Sequence, residues 1–201
     1  MARVGFGVFA AMSLLIALVS LRSLTMSIAQ SMPHVAHFLA ATPWGLWVHL
    51  VAGPLVLALA PLQLWTGLRG IAPRLHRWSG RLYAVAVLVA APAGFVLAAS
   101  GVSQASVFAR TGFIVMAVLW VLTTAKGVWW VRKGDYARHR WWMQRSLAVT
   151  FGAVTLRVVM GPLMAMGWPL PQTYDVTAWG SWLFNLAVLE LWQRRRVLRP
   201  A

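Results

Sequence analysis

Two nearly identical turns carry the side chains best suited to chemistry: Leu75-His76-Arg77-Trp78-Ser79-Gly80-Arg81 and Arg138-His139-Arg140-Trp141-Trp142-Met143-Gln144-Arg145-Ser146. Each presents His-Arg-Trp after a hydrophobic run and a short basic loop, and each opens the next hydrophobic run. Imidazole is a metal ligand, and guanidinium grips carboxylate or phosphate in a two-pronged fork. Arg74, Arg77, Arg81, Arg138, Arg140 and Arg145 surround the two histidines, with only Asp135 to offset them. That field disfavours a bare divalent cation but suits a haem, whose iron takes two imidazoles while its propionates meet arginines. The competing reading is interfacial, with tryptophan at the headgroup level and arginine on lipid phosphate.

A second set gathers near the other ends of the hydrophobic runs. His34 and His37, three apart, share a face of any helical turn, and His49 follows shortly after. With Met26, Met32, Met160, Met164 and Met166 they make an imidazole and thioether set of the kind copper takes. His49 is equally a candidate haem ligand, with Gly53 one turn below it leaving room for a macrocycle. Arg22, His49, Arg157 and Glu190 fall inside apolar runs, where a charge is expensive and needs a partner. Ser146, Thr150, Ala153, Arg157 and Gly161 recur at helical spacing, so Arg157 is expected to look into the protein rather than at lipid. The only acid on its side is Asp175, which leaves Arg22 and Arg157 to share one carboxylate. An anionic ligand would resolve the deficit: a haem propionate, a lipid phosphate or a small carboxylate.

The elements that position these residues follow from composition. Of 201 residues 60% are hydrophobic, three are acidic and none is cysteine. Charged residues make up 10% where a soluble domain carries about a quarter, which places the chain in a membrane. Without cysteine there is no disulfide, thiolate metal site or thiol nucleophile. With three acids there is no carboxylate-pair hydrolase, and no serine triad or glycine-rich phosphate loop is found. Apolar runs at about 4–29, 44–68, 82–100, 111–131, 146–167 and 177–192 predict an all-α integral membrane protein, six transmembrane helices in one bundle. The first run is too long for a signal peptide's apolar segment and reads as a retained helix.

Lysines and arginines set the orientation. Arg3, Arg69, Arg74, Arg77, Arg81, Arg132, Lys133, Arg138, Arg140, Arg145, Arg194, Arg195, Arg196 and Arg199 fall on one side, and the opposite loops contribute only Arg110. The positive-inside rule then puts both termini in the cytoplasm, across a bacterial inner membrane. The net charge of +15 therefore describes topology and not a nucleic-acid partner. Spans two–three and four–five form a parallel repeat that brings His76 towards His139.

His49-x-x-x-Gly53-Pro54, Pro61-x-Gln63, His76-Arg77-Trp78-x-Gly80-Arg81-x-Tyr83, His139-Arg140-x-Trp142-Met143-x-Arg145-Ser146, Thr155-Leu156-Arg157 and Trp182-x-x-Asn185-Leu186-x-x-x-Glu190 together resemble an uncharacterised bacterial membrane family, domain-of-unknown-function 2306. The resemblance implies a polytopic helical protein and no particular reaction. The residues themselves point to a b-type haem protein for electron transfer within the membrane, with His49, His76 and His139 as candidate ligands and Arg77, Arg140 and Arg157 as candidate propionate partners. The alternatives are copper handling through His34, His37 and His49, and a non-catalytic subunit of a membrane complex or a lipid-binding scaffold.

Overall fold

Prolines and capping side chains decide where the long helices begin. The first, α1 (Arg3–Leu21), gives way to a 3-10 turn at Arg22–Leu24 and short helical turns at Ile28–Ser31, Pro33–Val35 and Phe38–Ala41. Pro43 and Pro73 open α2 (Pro43–Arg69) and α3 (Pro73–Ala99), positions where a missing N–H costs nothing. Gly70 ends α2 in the left-handed conformation, φ 64°, open to glycine without strain. Ser106 caps α4 (Val107–Arg132) by accepting the Ala109 N–H at 3.0 Å. Asp135 caps α5 (Tyr136–Ala165) by accepting that of Arg138 at 2.8 Å. The last helix is α6 (Leu170–Val197). This computed structural model describes residues 3–197; Arg199 lies outside them, as do the side chains of Arg3 and Arg196.

The described residues contain helices and no strand, and five helices are long and apolar enough to cross a membrane: Val4–Leu24, Pro43–Arg69, Pro73–Ala99, Val107–Arg132 and Tyr136–Ala165. The 28-residue α6 has the length, but Gln172, Asp175, Asn185 and Glu190 dilute its apolar character. Helix boundaries differ from the apolar runs in an instructive way. The first run, expected to reach residue 29, breaks at Leu21. The third and fifth helices start at Pro73 and Tyr136 rather than at 82 and 146, and the sixth spans 170–197 rather than 177–192. Hydropathy registers only the greasy middle of a helix, whereas caps set its ends. As a result His76 and His139 sit within the first turns of α3 and α5. Twenty-seven residues make about 40 Å of helix, so these ends project beyond a hydrocarbon layer of about 30 Å.

Helices α2, α3, α4 and α5 close a four-helix ring, with each packed on the next and α2 returning against α5. The first helix lies on α2 and α5, and α6 lies on α5 and α4. The ring's core joins Val56, Tyr83, Val87, Ala90, Trp120 and Val149. Outside, Leu18, Val85, Leu88, Leu122 and Val188 are exposed, as a surface facing lipid tails would be. Trp44 and Trp78 are well exposed at helix ends, whereas Trp120 and Trp182 are buried.

Candidate functional site

The parallel repeat brings its histidines together. The His76 and His139 rings stand 6.5 Å apart, centre to centre, at an interplanar angle of 83°. Hydrogen bonding fixes the same tautomer in both. Thr66 spends its hydroxyl hydrogen on the Leu62 carbonyl at 2.7 Å, so at 2.9 Å its oxygen accepts from His76 Nδ1–H. His139 Nδ1 lies 2.9 Å from the Gly127 carbonyl, an acceptor only, and therefore carries the hydrogen too. In the neutral imidazole, therefore, Nε2 is the nitrogen that carries the lone pair. Small residues permit the approach: a Cβ at Gly67 would stand 3.1 Å from His76 Cε1, and one at Gly127 would collide with Met143 Sδ. A cavity of about 270 Å³ opens here, lined by Gln63, Thr66, Gly67, His76, His139 and Arg140 among others.

Stacking sorts the surrounding arginines. Arg81 lies over Trp78, Arg138 over Trp130 and Arg145 over Trp141, with Arg145 also paired to Glu190 at 2.5 Å. Arg77 and Arg140, each immediately after a histidine, are exposed and have no ion pair or hydrogen bond among the described residues. Lys126, Trp129, Trp130, Arg138, Trp141 and Trp142 line a neighbouring basic, aromatic hollow. An apolar crevice of about 420 Å³ between α1, α2, α5 and α6 shares Leu64, Leu68, Gln144 and Leu147 with the histidine cavity.

Above the pair, a sealed hydroxyl network holds α3, α4 and α5 in register. Tyr83 Oη lies 2.8 Å from Ser146 Oγ and 2.7 Å from Thr150 Oγ1. Trp120 Nε1–H donates to Thr150 Oγ1 at 2.9 Å, and Thr124 meets Ser146 at 2.7 Å. Gln63 donates to Ser79 Oγ at 2.6 Å and to the His76 carbonyl at 3.3 Å, bracing the first turn of α3. These partners of the histidine centre escaped sequence reasoning. Tyr83, two turns beyond His76, and the buried face of Ser146 and Thr150 were the available signals.

His49 and Arg157 lie towards the ends of α2 and α5 away from the His76–His139 pair, on the side where the sequence groups them. His49 Nδ1–H donates to the Ala90 carbonyl at 3.0 Å, near the other end of the ring. Gly94 gives the ring room, since a Cβ there would stand 3.1 Å from it, whereas one at Gly53 would make ordinary contact with Nε2 at 3.9 Å. Arg157 lies within electrostatic reach of His49, His34 and Tyr174. Burial, followed by the charges of Arg157, Arg22 and His37, holds His34 below the usual imidazole range; burial alone lowers His37. His37 packs on Phe38, Met32 is buried beside Ile28, Phe38, Leu46 and Leu50, and Met26, Met164 and Met166 are exposed. Among the described residues no three His, Cys, Asp or Glu side chains are placed to hold a metal ion.

Nor does Asp175 serve the arginines expected to share it, because it accepts the Ser106 hydroxyl. Arg22 turns back to the Ser31 carbonyl. The conspicuous polar residues of α6 secure it to α5. Asn185 takes the Thr155 hydroxyl at 3.0 Å and donates to the Ala148 carbonyl at 3.2 Å, Trp182 covers Gly152, and Glu190 pairs with Arg145.

No match is found among curated proteins or among solved structures. The family described as "Predicted membrane protein (DUF2306)" matches residues 46–193, from the first turn of α2 almost to the end of α6, and the chain belongs to it.

Proposed function

We propose that this multi-pass membrane protein is a small b-type haem protein that carries electrons within a bacterial inner membrane, and that His76 and His139 would hold the haem iron. The observation that carries the reading is the geometry of that pair. The two rings stand 6.5 Å apart on different helices, each anchored through Nδ1, so their other nitrogens are the ones that would hold the iron. Ligating histidines are oriented in this way by their second nitrogen. Arg77 and Arg140, without protein partners, suit the two propionates. A haem bound there would supply reversible one-electron transfer.

The rest is the work of the chain's own residues. Thr66 and the Gly127 carbonyl hold the rings, Gly67 and Gly127 leave space beside them, and Tyr83 with its hydroxyl partners fixes α3 against α5. The crevice shared at Leu64, Leu68, Gln144 and Leu147 supports a redox partner dissolved in the bilayer, such as a quinol, reaching the pair from the side. The basic aromatic hollow at Lys126 and Arg138 suits an anionic lipid. In this reading α6 is the sixth span, and the basic ends of the helices and both termini face the cytoplasm.

The test is an oxidised and a dithionite-reduced absorption spectrum of protein purified in mild detergent from cells supplied with haem, with haem quantified on the same sample. A Soret band with sharp α and β bands on reduction, at one haem per chain, is expected. Colourless protein that takes up no haem on titration retires the proposal.

A further inference from the structure

We propose that the basic, aromatic hollow between α4 and α5 binds one anionic phospholipid, its headgroup phosphate lying between Lys126 and Arg138 and an acyl chain following the outer face of α4. The proposal rests on the lipid reading given above for that hollow and on none of the haem chemistry. The space is about 570 Å³, walled by Lys126, Trp129 and Trp130 of α4 and by Arg138, Trp141 and Trp142 of α5. Stacking fixes its cations. Lys126 Nζ stands 4.4 Å from the centre of the Trp142 ring and Arg138 Cζ 4.2 Å from that of Trp130, while Lys133 lies over Trp129 at 4.1 Å. One carboxylate, that of Asp135, 3.4 Å from Arg138 Nε, offsets these three charges. Lys126 makes no hydrogen bond or ion pair among the described residues, and the two Arg138 Nη groups have no protein acceptor there. Trp120, Trp179 and Trp182 each donate an indole N–H to a protein acceptor, whereas Trp129, Trp130, Trp141 and Trp142 donate to none among the described residues. Lysine and arginine already occupy the ring faces that a choline group would seek, so the hollow favours a net anion over a zwitterion.

The first hairpin of the repeat shows that the turn itself does not require this arrangement. Helices α2 and α4 both end on arginine, Arg69 and Arg132, with loops of equal length before α3 and α5. In that register Gln63 and Ser79 stand where Lys126 and Trp142 do, and Leu75 stands where Arg138 does. Gln63 closes its hairpin by donating to Ser79 at 2.6 Å; Lys126 and Trp142 face each other at the same place beside an open hollow. Thr66 and Gly67, at the positions of Trp129 and Trp130, serve the His76 ring instead. The occupant follows from depth. Lys126 lies six residues before the end of the 26-residue α4, about 9 Å along the axis, and so at the boundary of a hydrocarbon layer of about 30 Å. A charge at that level is costly without a partner. Leu122 and Val118, one and two turns deeper on the same face, are exposed and offer an acyl chain a track that a soluble anion has no use for.

The test uses the full chain purified in mild detergent and titrated separately with phosphatidylglycerol and phosphatidylcholine, bound lipid being counted by native mass spectrometry while thermal unfolding is followed. One phosphatidylglycerol per chain is expected, bound about tenfold or more tightly than phosphatidylcholine, the worth of one charge-assisted contact. That preference should be lost in Lys126→Gln and in Arg138→Gln, both at exposed side chains, and kept in Arg194→Gln, which removes an exposed charge of the same side outside the hollow. Should one hollow variant fail to fold, the other decides. Equal binding of the two lipids, or a preference weakened as much by Arg194→Gln as by the hollow variants, overturns the proposal, since the basic face then attracts anions without a site. Inorganic phosphate that displaces the lipid at matched ionic strength overturns the lipid as occupant. Haem is quantified in the same samples, so colourless protein retires the electron-transfer reading while the lipid titration stands or falls separately.

Discussion

Thr66→Val is the sharpest probe of the histidine centre, because it removes one atom's chemistry while nearly preserving shape. In the native protein the hydroxyl donates to the Leu62 carbonyl at 2.7 Å and accepts from His76 Nδ1–H at 2.9 Å. Valine supplies neither contact. The Leu62 carbonyl retains its helical partner, but the imidazole N–H loses its acceptor and with it the preference for leaving Nε2 bare. Losing such a partner of a metal-ligating histidine weakens binding about 10–100-fold, or roughly 1.4–2.7 kcal/mol. That exceeds the net 0.5–1.5 kcal/mol of an ordinary hydrogen bond, since a misdirected ring costs ligation as well as the bond. His139 provides the internal comparison, as its acceptor is the Gly127 backbone and no substitution at Thr66 touches it.

The assay is haem titration of the purified protein, followed at the Soret band. Thr66→Ser, which restores the hydroxyl, is expected to bind within a few-fold of wild type. Gly67→Ala, which places a methyl 3.1 Å from His76 Cε1, should displace the same ring from the other side and weaken binding in the same direction. If Thr66→Val binds haem as tightly as Thr66→Ser, with an unchanged spectrum and reduction midpoint, the hydrogen bond does not orient a ligand and the reasoning from tautomer to haem fails.

Other expectations follow from the same geometry. His76→Ala and His139→Ala should each abolish the same low-spin spectrum, whereas His49→Ala should leave it intact; absorption spectra of the three proteins decide this. Tyr83→Phe removes one partner each from the buried Ser146 and Thr150 hydroxyls, which keep Thr124 and Trp120, and should lower stability by about 0.5–1.5 kcal/mol in a detergent melt, without changing haem stoichiometry. Because the chain has no cysteine, single cysteines at Ser103 and Gly134 report topology cleanly: a membrane-impermeant maleimide applied to whole cells with a permeabilised outer membrane should label the first and spare the second. His34 should titrate below 6.5 by NMR, and Arg157→Gln should raise its pKa only part of the way, since burial is the larger cause. The sign follows: the unfolded chain binds a proton at His34 before the folded one does, so this residue's contribution to stability is lost as pH falls from about 6.5 towards the folded value.

What the sequence exposes and what it hides divide along a physical line. Side-chain types at helical spacing were legible, so the greasy spans, the basic turns, the parallel repeat and the approach of His76 to His139 could all be read before any coordinates. Backbone acceptors were not. The features that distinguish the three helix-borne histidines are the Leu62-braced Thr66 hydroxyl, the Gly127 carbonyl and the Ala90 carbonyl. A carbonyl belongs to every residue and so leaves no mark on residue type. A sequence also records charge without recording which carboxylates have been taken. Glu190, read near the inner end of the last span, proves to be the partner of Arg145, a residue that had passed as one more headgroup anchor. With that pairing made, no acid remains for Arg157. The two ends of the bundle therefore pose different chemical problems: at one, paired lone pairs with free arginines beside them; at the other, a buried cation still lacking its anion.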